Sequence, residues 1–258
     1  MWLWVMLWNG FERMAIAERA SLRLVVAAES REFRGILRNC GPVTPLAWPV
    51  RFAVATEMAG QAYVFAANGP GPRLAAEVLR AAEVNSAKAG IRAVISTGFC
   101  GGLDPQLALG SIVDATSVID GPTGRKWATI AAGTNTQCAR GPILSLDRVA
   151  ITAVEKRELA TSSGAIAVEM EAAAVSSWAD TNNVPFHCVR VVSDTADDNF
   201  TINMNAMRDA EGRFDRFKIL RQALAKPFTR IPGLMQLDRN CRVAEERLGS
   251  FFANCRFE

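Results

Sequence analysis

Residues 186–192 (FHCVRVV) form a nearly unbroken apolar run that follows Pro185 and ends at Ser193 and Asp194. A strand buried on both faces of a largely parallel sheet needs such a run, and a chain that must bury one is committed to an α/β fold. Ligands in open α/β sheets collect at the carboxyl ends of the strands, so Ser193 and Asp194 are placed where a crevice forms. Upstream, the short apolar run 165–168 meets Glu169 and Glu171. Met170, Ala173, Ala174, Ser177 and Trp178 then recur with helical spacing, which predicts a packed helix ending near Asn182, before Pro185. Glu169, Glu171 and Asp194 are therefore expected to converge on one crevice. Three carboxylates with no metal-ligand cluster point to sugar chemistry.

The rest of the chain fits the same class. Buried strands are predicted at 22–28 and 91–97, an antiparallel pair at 51–56 and 62–67, and further strands at 113–119 and 127–131. Glu32 falls in the turn after the first strand, ahead of a helix that carries Phe33, Ile36 and Leu37 on one face. By itself, a glutamate there is explained by the helix dipole. The turn 68–73 contains Gly69, Pro70, Gly71 and Pro72 and opens a helix that runs to about residue 89. Its two prolines remove two backbone donors, so it reads as a strand-to-helix connection before an anion cradle. Gly98, Phe99 and Gly101 belong to a second glycine-rich segment, 98–105, whose backbone can turn sharply and approach a ligand. Residues 153–162 read as a short polar helix. Two amphipathic helices, about 203–225 and 234–253, end the chain. The expected architecture is a single three-layer α/β domain, with a twisted mixed central sheet flanked by helices, over residues 21–258.

The 258 residues provide ample chain for one core, and a formal charge of +3 is too small to argue for nucleic acid. The six cysteines have neither zinc-type nor disulfide-framework spacing, which fits a reducing cytoplasm. The single histidine, His187, alternates with core residues and reads as structural, which argues against histidine-dependent hydrolases. The segment MWLWVMLW at residues 1–8 is intensely apolar but lacks a basic leader and is too short to span a bilayer. Residues 1–20 are expected to form a loosely held extension, or to precede the true start at Met14. No membrane association is expected.

Val168-Glu169-Met170-Glu171-Ala172, followed by Val189-Arg190-Val191-Val192-Ser193-Asp194, resembles the signature of the nucleoside phosphorylase and nucleosidase family. Gly98 to Pro105 together with Gly110-Ser111-Ile112-Val113 resembles its second, glycine-rich signature. The motifs are closest to methylthioadenosine/S-adenosylhomocysteine nucleosidases and to hopanoid-associated, phosphorylase-like members. This resemblance implies cleavage of the N-ribosyl bond of a purine nucleoside without a cofactor or metal. It makes Asp194 the general acid, with Ser193 hydrogen-bonded to it. It places Glu171 on the ribose hydroxyls and Met170 against the sugar, and leaves Glu169 as a supporting group. Gly98, Phe99 and Gly101 then lie against ribose and base, and Val149 walls the base. Glu32 takes the position of the glutamate that activates water in nucleosidases. The resemblance also implies a homodimer.

Arg190, inside a buried apolar run, requires a carboxylate partner. Glu32 is the expected one. Phosphorylases gather an anion with several arginines, but Ser96 and Phe99 stand where bacterial purine nucleoside phosphorylases carry an arginine and a serine. Water is therefore expected as the acceptor, with phosphate as the alternative and Arg73 as a substitute anion site. A nucleoside-binding protein without turnover is the reading from outside enzymology.

Overall fold

The computed structural model describes residues 22–86, 90–134 and 136–257. The expectation for residues 1–20 lies outside them, as does the end of the helix foreseen at residues 87–89. The chain begins with β1 (Leu22–Ala27), a 3₁₀ turn (Ser30–Phe33) and α1 (Arg34–Leu37). Strands β2 (Thr44–Pro45), β3 (Phe52–Met58) and β4 (Gln61–Ala67) follow, then α2 (Pro72–Asn85). Next come β5 (Ile91–Gly102), β6 (Ile112–Asp120), β7 (Lys126–Ala128), β8 (Gly133–Thr134) and β9 (Ala139–Ser145). Then α3 (Ala153–Ser163), β10 (Ala167–Glu169), α4 (Ala172–Asn182) and β11 (Phe186–Asp194) lead to a 3₁₀ turn at Met204–Met207. The chain ends with α5 (Arg216–Ala225), α6 (Pro227–Ala253) and β12 (Cys255–Arg256).

Nine strands form one mixed sheet in the order β10-β9-β6-β11-β5-β1-β4-β3-β2, with β7 added against β6. Strand β11 lies parallel to β5 and antiparallel to β6, and all nine of its residues are buried. Its apolar composition follows from this position, since neither face meets water. Alternation in β1 sends Leu24 and Val26 into the core under α2 and α4, and Val25 and Ala27 into the core shared with α1 and α6. These helices flank the sheet on its two faces, giving the α/β architecture expected. Strand β5 also pairs antiparallel with β10 through Gly101 and Gly102, which closes part of the sheet on itself.

Several boundaries differ from the sequence expectation. The glycine segment that was expected to leave the sheet at Gly98 stays within β5 as far as Gly102. Ladder hydrogen bonds to β11 hold it extended, and Gly98 absorbs the distortion at φ +123°. The strand foreseen at 127–131 is only Lys126–Ala128. The helix expected over 203–225 is a 3₁₀ turn and then α5, whose N-cap Asp215 accepts from the N–H groups of Phe217 and Lys218. The last helix starts at Pro227, earlier than the apolar spacing indicated, and contains Pro232.

α1 and α6 cross in backbone contact at Gly35 and Gly249. A Cβ on Gly35 would fall on the carbonyl of Glu245, and one on Gly249 on the backbone of Gly35. The Asn39 side-chain amide donates to the carbonyls of both glycines, at 3.1 and 3.2 Å. Gly35→Ala would gain up to about 1 kcal/mol in helix propensity. The overpacking cost of about 1–3 kcal/mol should exceed that gain, so the urea midpoint is expected to fall. Because α1 follows directly on Glu32, this crossing also fixes where that carboxylate sits.

Candidate active site

A cavity of about 280 Å³ opens at the carboxyl ends of β1, β5 and β11, near the small end of the range for small-molecule sites. Among the residues lining it are Glu32, Phe99, Gly101, Val149, Glu169, Met170, Glu171, Ser193 and Asp194. Nine of the eleven expected site residues thus line one cavity. Gly98 and Arg190 do not line it; they lie behind it, in the sheet. A Cβ on Gly98 would meet the Glu32 carboxylate and come within 3.0 Å of Arg190 Nη1. The glycine at 98 therefore makes room for a side-chain cluster. At Gly101 a Cβ would lie 2.9 Å from Asp194 Oδ2, so this glycine clears space for a carboxylate as well.

The expected Arg190–Glu32 ion pair is not formed. Arg190, fully buried, pairs with Glu169 through Nη2, which also donates to Ser96 Oγ at 2.6 Å, while Nη1 donates to the carbonyl of Thr97. The reason is register. Arg190 lies opposite Gly98 on the face of β11 where Glu169, at the end of β10, can reach it. Glu169 also accepts from the N–H groups of Glu171 and Ala172, each at 2.9 Å, and so places negative charge at the start of α4. Glu32 is held instead by two backbone donors, Phe99 N–H on Oε1 and Glu29 N–H on Oε2, both at 2.7 Å.

One guanidinium thus serves three buried carboxylates. Glu169 is in direct contact, Glu171 lies 3.8 Å away, and Glu32 feels Arg190 only through space. Burial pushes Glu32 above the usual carboxylate range against the pull of its two backbone donors and Arg190. Burial, aided by the neighbouring Glu169 charge, pushes Glu171 up to about 8. A carboxyl raised in the folded state stabilises the fold fully below its unfolded value and loses that contribution as pH rises through the folded one. For Glu171 the window runs from about 4.5 to about 8. Glu171→Gln is expected to raise the denaturant midpoint at pH 8 relative to pH 5, flattening the profile; equal shifts at both pH values would contradict this assignment.

Asp194 sits 8 % exposed at the end of β11. Ser193 Oγ donates to its Oδ1 at 2.9 Å and Lys156 Nζ to its Oδ2 at 2.6 Å. Burial raises the carboxyl above its ordinary range, while Lys156 and Ser193 pull it down. Lys156 is fully buried and also donates to the carbonyl of Thr195 at 2.6 Å, with the carbonyl of Asp198 at 3.5 Å. Asp194 and Lys156 thus form one buried hydrogen-bonded pair at the end of β11. Val149 is positioned by Asn205, which accepts from its N–H at 2.8 Å and donates to its carbonyl at 2.9 Å.

The family profile of the phosphorylase superfamily matches residues 23–131 and 125–225. The chain belongs to this superfamily. Similar solved structures include the 5′-methylthioadenosine/S-adenosylhomocysteine nucleosidase from Neisseria meningitidis in complex with methylthio-immucillin-A. That likeness has 21 % identity and a TM-score of 0.68, covering 90 % of this chain and 97 % of the other. The S-adenosylhomocysteine nucleosidase from Streptococcus pyogenes gives 18 % and 0.65 over 91 % and 97 %. The native futalosine hydrolase of Helicobacter pylori strain 26695 gives 17 % and 0.64 over 90 % and 95 %. At these identities the likeness establishes a shared fold. No curated protein is significantly similar in sequence.

Within this superfamily fold the sequence reading missed Lys156 and the far wall of the cavity. Lys156 is the one buried residue of its helix, and no periodicity distinguishes a buried lysine there. Phe200, Met204, Phe214, Leu237 and Cys241 form the far wall. In sequence Met204, Phe214, Leu237 and Cys241 read as ordinary apolar positions of terminal amphipathic helices, and Phe200 precedes those helices. Arg73 lies outside the cavity and pairs with Glu77. Among the described residues no cluster of His, Cys, Asp or Glu could hold a metal, and no helix is long and apolar enough to cross a membrane.

Proposed function

We propose that this chain hydrolyses the N-ribosyl bond of a purine, adenosine-type nucleoside. The observation that carries the reading is Asp194, hydrogen-bonded to the buried Lys156, lining one cavity with the buried carboxylates Glu32 and Glu171. Breaking the bond develops an oxocarbenium-like sugar and an anionic base, and the two ends need opposite help. Asp194 protonates the imidazole-ring nitrogen of the purine, and Lys156 positions Asp194 and stabilises the carboxylate left behind. Glu171 holds the ribose hydroxyls, Met170 packs on the sugar, and Val149 and Phe99 flank the base. Glu32, held by the N–H groups of Phe99 and Glu29, takes a proton from the attacking water. The activities of the similar solved proteins, nucleosidases and a futalosine hydrolase, support hydrolysis and a 5′-substituted nucleoside as substrate.

Water as the acceptor is supported by the state of the arginines. Ser96 is fully buried and bound to Arg190. The two arginines on the cavity wall are occupied, Arg31 by Glu245 at 2.8 Å and Asp238 at 3.2 Å, and Arg148 by Glu155. The deciding experiment incubates the protein with methylthioadenosine, S-adenosylhomocysteine, adenosine and inosine, with and without phosphate. Free base and free sugar formed without phosphate are expected; strict phosphate dependence with ribose 1-phosphate as product would make the chain a phosphorylase. Binding without turnover would leave only the silent-binder reading. Glu32→Gln is expected to lower hydrolysis by about 10²–10⁴-fold, measured as kcat in phosphate-free buffer, with circular dichroism to confirm the fold. The homodimer implied by the family resemblance is checked by sedimentation velocity.

A further inference from the structure

The overall charge of +3 conceals a local concentration of cations. From Phe217 to Leu237 the chain carries Lys218, Arg221, Lys226 and Arg230 and no acidic residue. None of these four forms an ion pair among the described residues: Lys218 donates to the carbonyl of Arg208, and Arg230 to Gln222. The same stretch holds most of the large apolar side chains that the described surface exposes. Phe217, Leu220 and Leu224 recur at helical spacing along α5, and Phe228, Ile231 and Met235 repeat the pattern along α6. Phe217 is 85 % exposed and Phe228 94 %.

These helices do not need this second apolar row in order to pack. Their other side already packs, with Ala223 buried and Ile219 and Leu234 set against Ile202, Met204 and Met207. Isolated exposed apolar residues are ordinary, whereas six on two consecutive helices, in a stretch that carries four cations and no acidic residue, are not. We propose that the outer face of α5 and the first half of α6 docks on an anionic lipid bilayer. An apolar row flanked by basic residues is the composition of a helix lying in the membrane interface. A second copy of the chain is a poor occupant, because it would bring the same unneutralised cations face to face. A bilayer surface neutralises them and demands no shape complement. Farther along α6, Leu237 and Cys241 line the active-site cavity, so docking would set the cavity wall beside the lipid.

The test uses the full chain and flotation with vesicles of phosphatidylglycerol and phosphatidylcholine, against vesicles of phosphatidylcholine alone. Binding is expected only with the anionic lipid and should weaken as salt rises. Phe217→Ser/Phe228→Ser and, separately, Arg221→Glu/Lys226→Glu should each lower partitioning at least about 10-fold. Neither pair touches the catalytic cavity, so unchanged turnover of a soluble nucleoside reports an intact fold. Absence of binding to the anionic vesicles overturns the proposal. So does binding that persists undiminished in both variants, which would assign it to another segment such as residues 1–8. Loss of self-association in the phenylalanine variant, with no vesicle binding by the parent protein, would make the row a contact between copies and overturn it too.

Discussion

Asp194→Asn is expected to lower base release from a purine nucleoside by about 10²–10⁴-fold in kcat, with little change in substrate affinity. Asparagine keeps the shape, but its single oxygen can accept from only one of Ser193 and Lys156, and it has no acidic proton to give to the leaving base. The loss should therefore appear in the chemical step, since only there does the base acquire negative charge. Lys156 sharpens the prediction. Its fully buried Nζ loses a carboxyl acceptor in the variant, so a fall in melting temperature should accompany the loss of activity. Single-turnover measurement of base release, with circular dichroism to confirm the fold, checks both parts. Near-normal turnover would remove Asp194 from the general-acid role and leave the superfamily assignment standing.

Arg190→Met is expected to destabilise the protein by about 3–5 kcal/mol, a large share of the stability of an ordinary domain. The side chain does not reach the cavity, so this is a statement about folding. It neutralises Glu169, which is fully buried at its side chain, and it moderates Glu171 and Glu32. Without it, three carboxylates share a buried volume with no cation. Protonation then becomes the only relief, so the loss should be smaller at pH 5 than at pH 8. Adding Glu169→Gln should recover part of the stability, because it removes the charge left unpaired. Denaturant midpoints for the two single variants and the double variant measure this coupling. Equal losses whether or not Glu169 is present would show that Arg190 acts by packing alone.

The apolar runs at β1, β5 and β11 were legible because a strand with no wet face tolerates almost no other composition, and the α/β class follows from them. The motif around Glu169 and Glu171 and the Ser193-Asp194 pair was legible as well, since each sits where a strand ends or a helix begins. The partner of Arg190 was not. A buried arginine announces that it needs a carboxylate, but sequence alone cannot choose among Glu32, Glu169 and Glu171. The pairing of β10 with β9 and β5, and the register that sets Arg190 opposite Gly98, made that choice. Lys156 was hidden for a related reason: in a helix with no other buried residue, burial of one lysine depends on what lies beneath it, and that is the end of β11. The sequence by itself determined which segments must be inside and which carboxylates stand at strand ends, because burial and local geometry are written residue by residue. Only the tertiary structure decided which charges meet, because a charge pair is a distance, and distances between remote segments exist only once strand order and register are fixed.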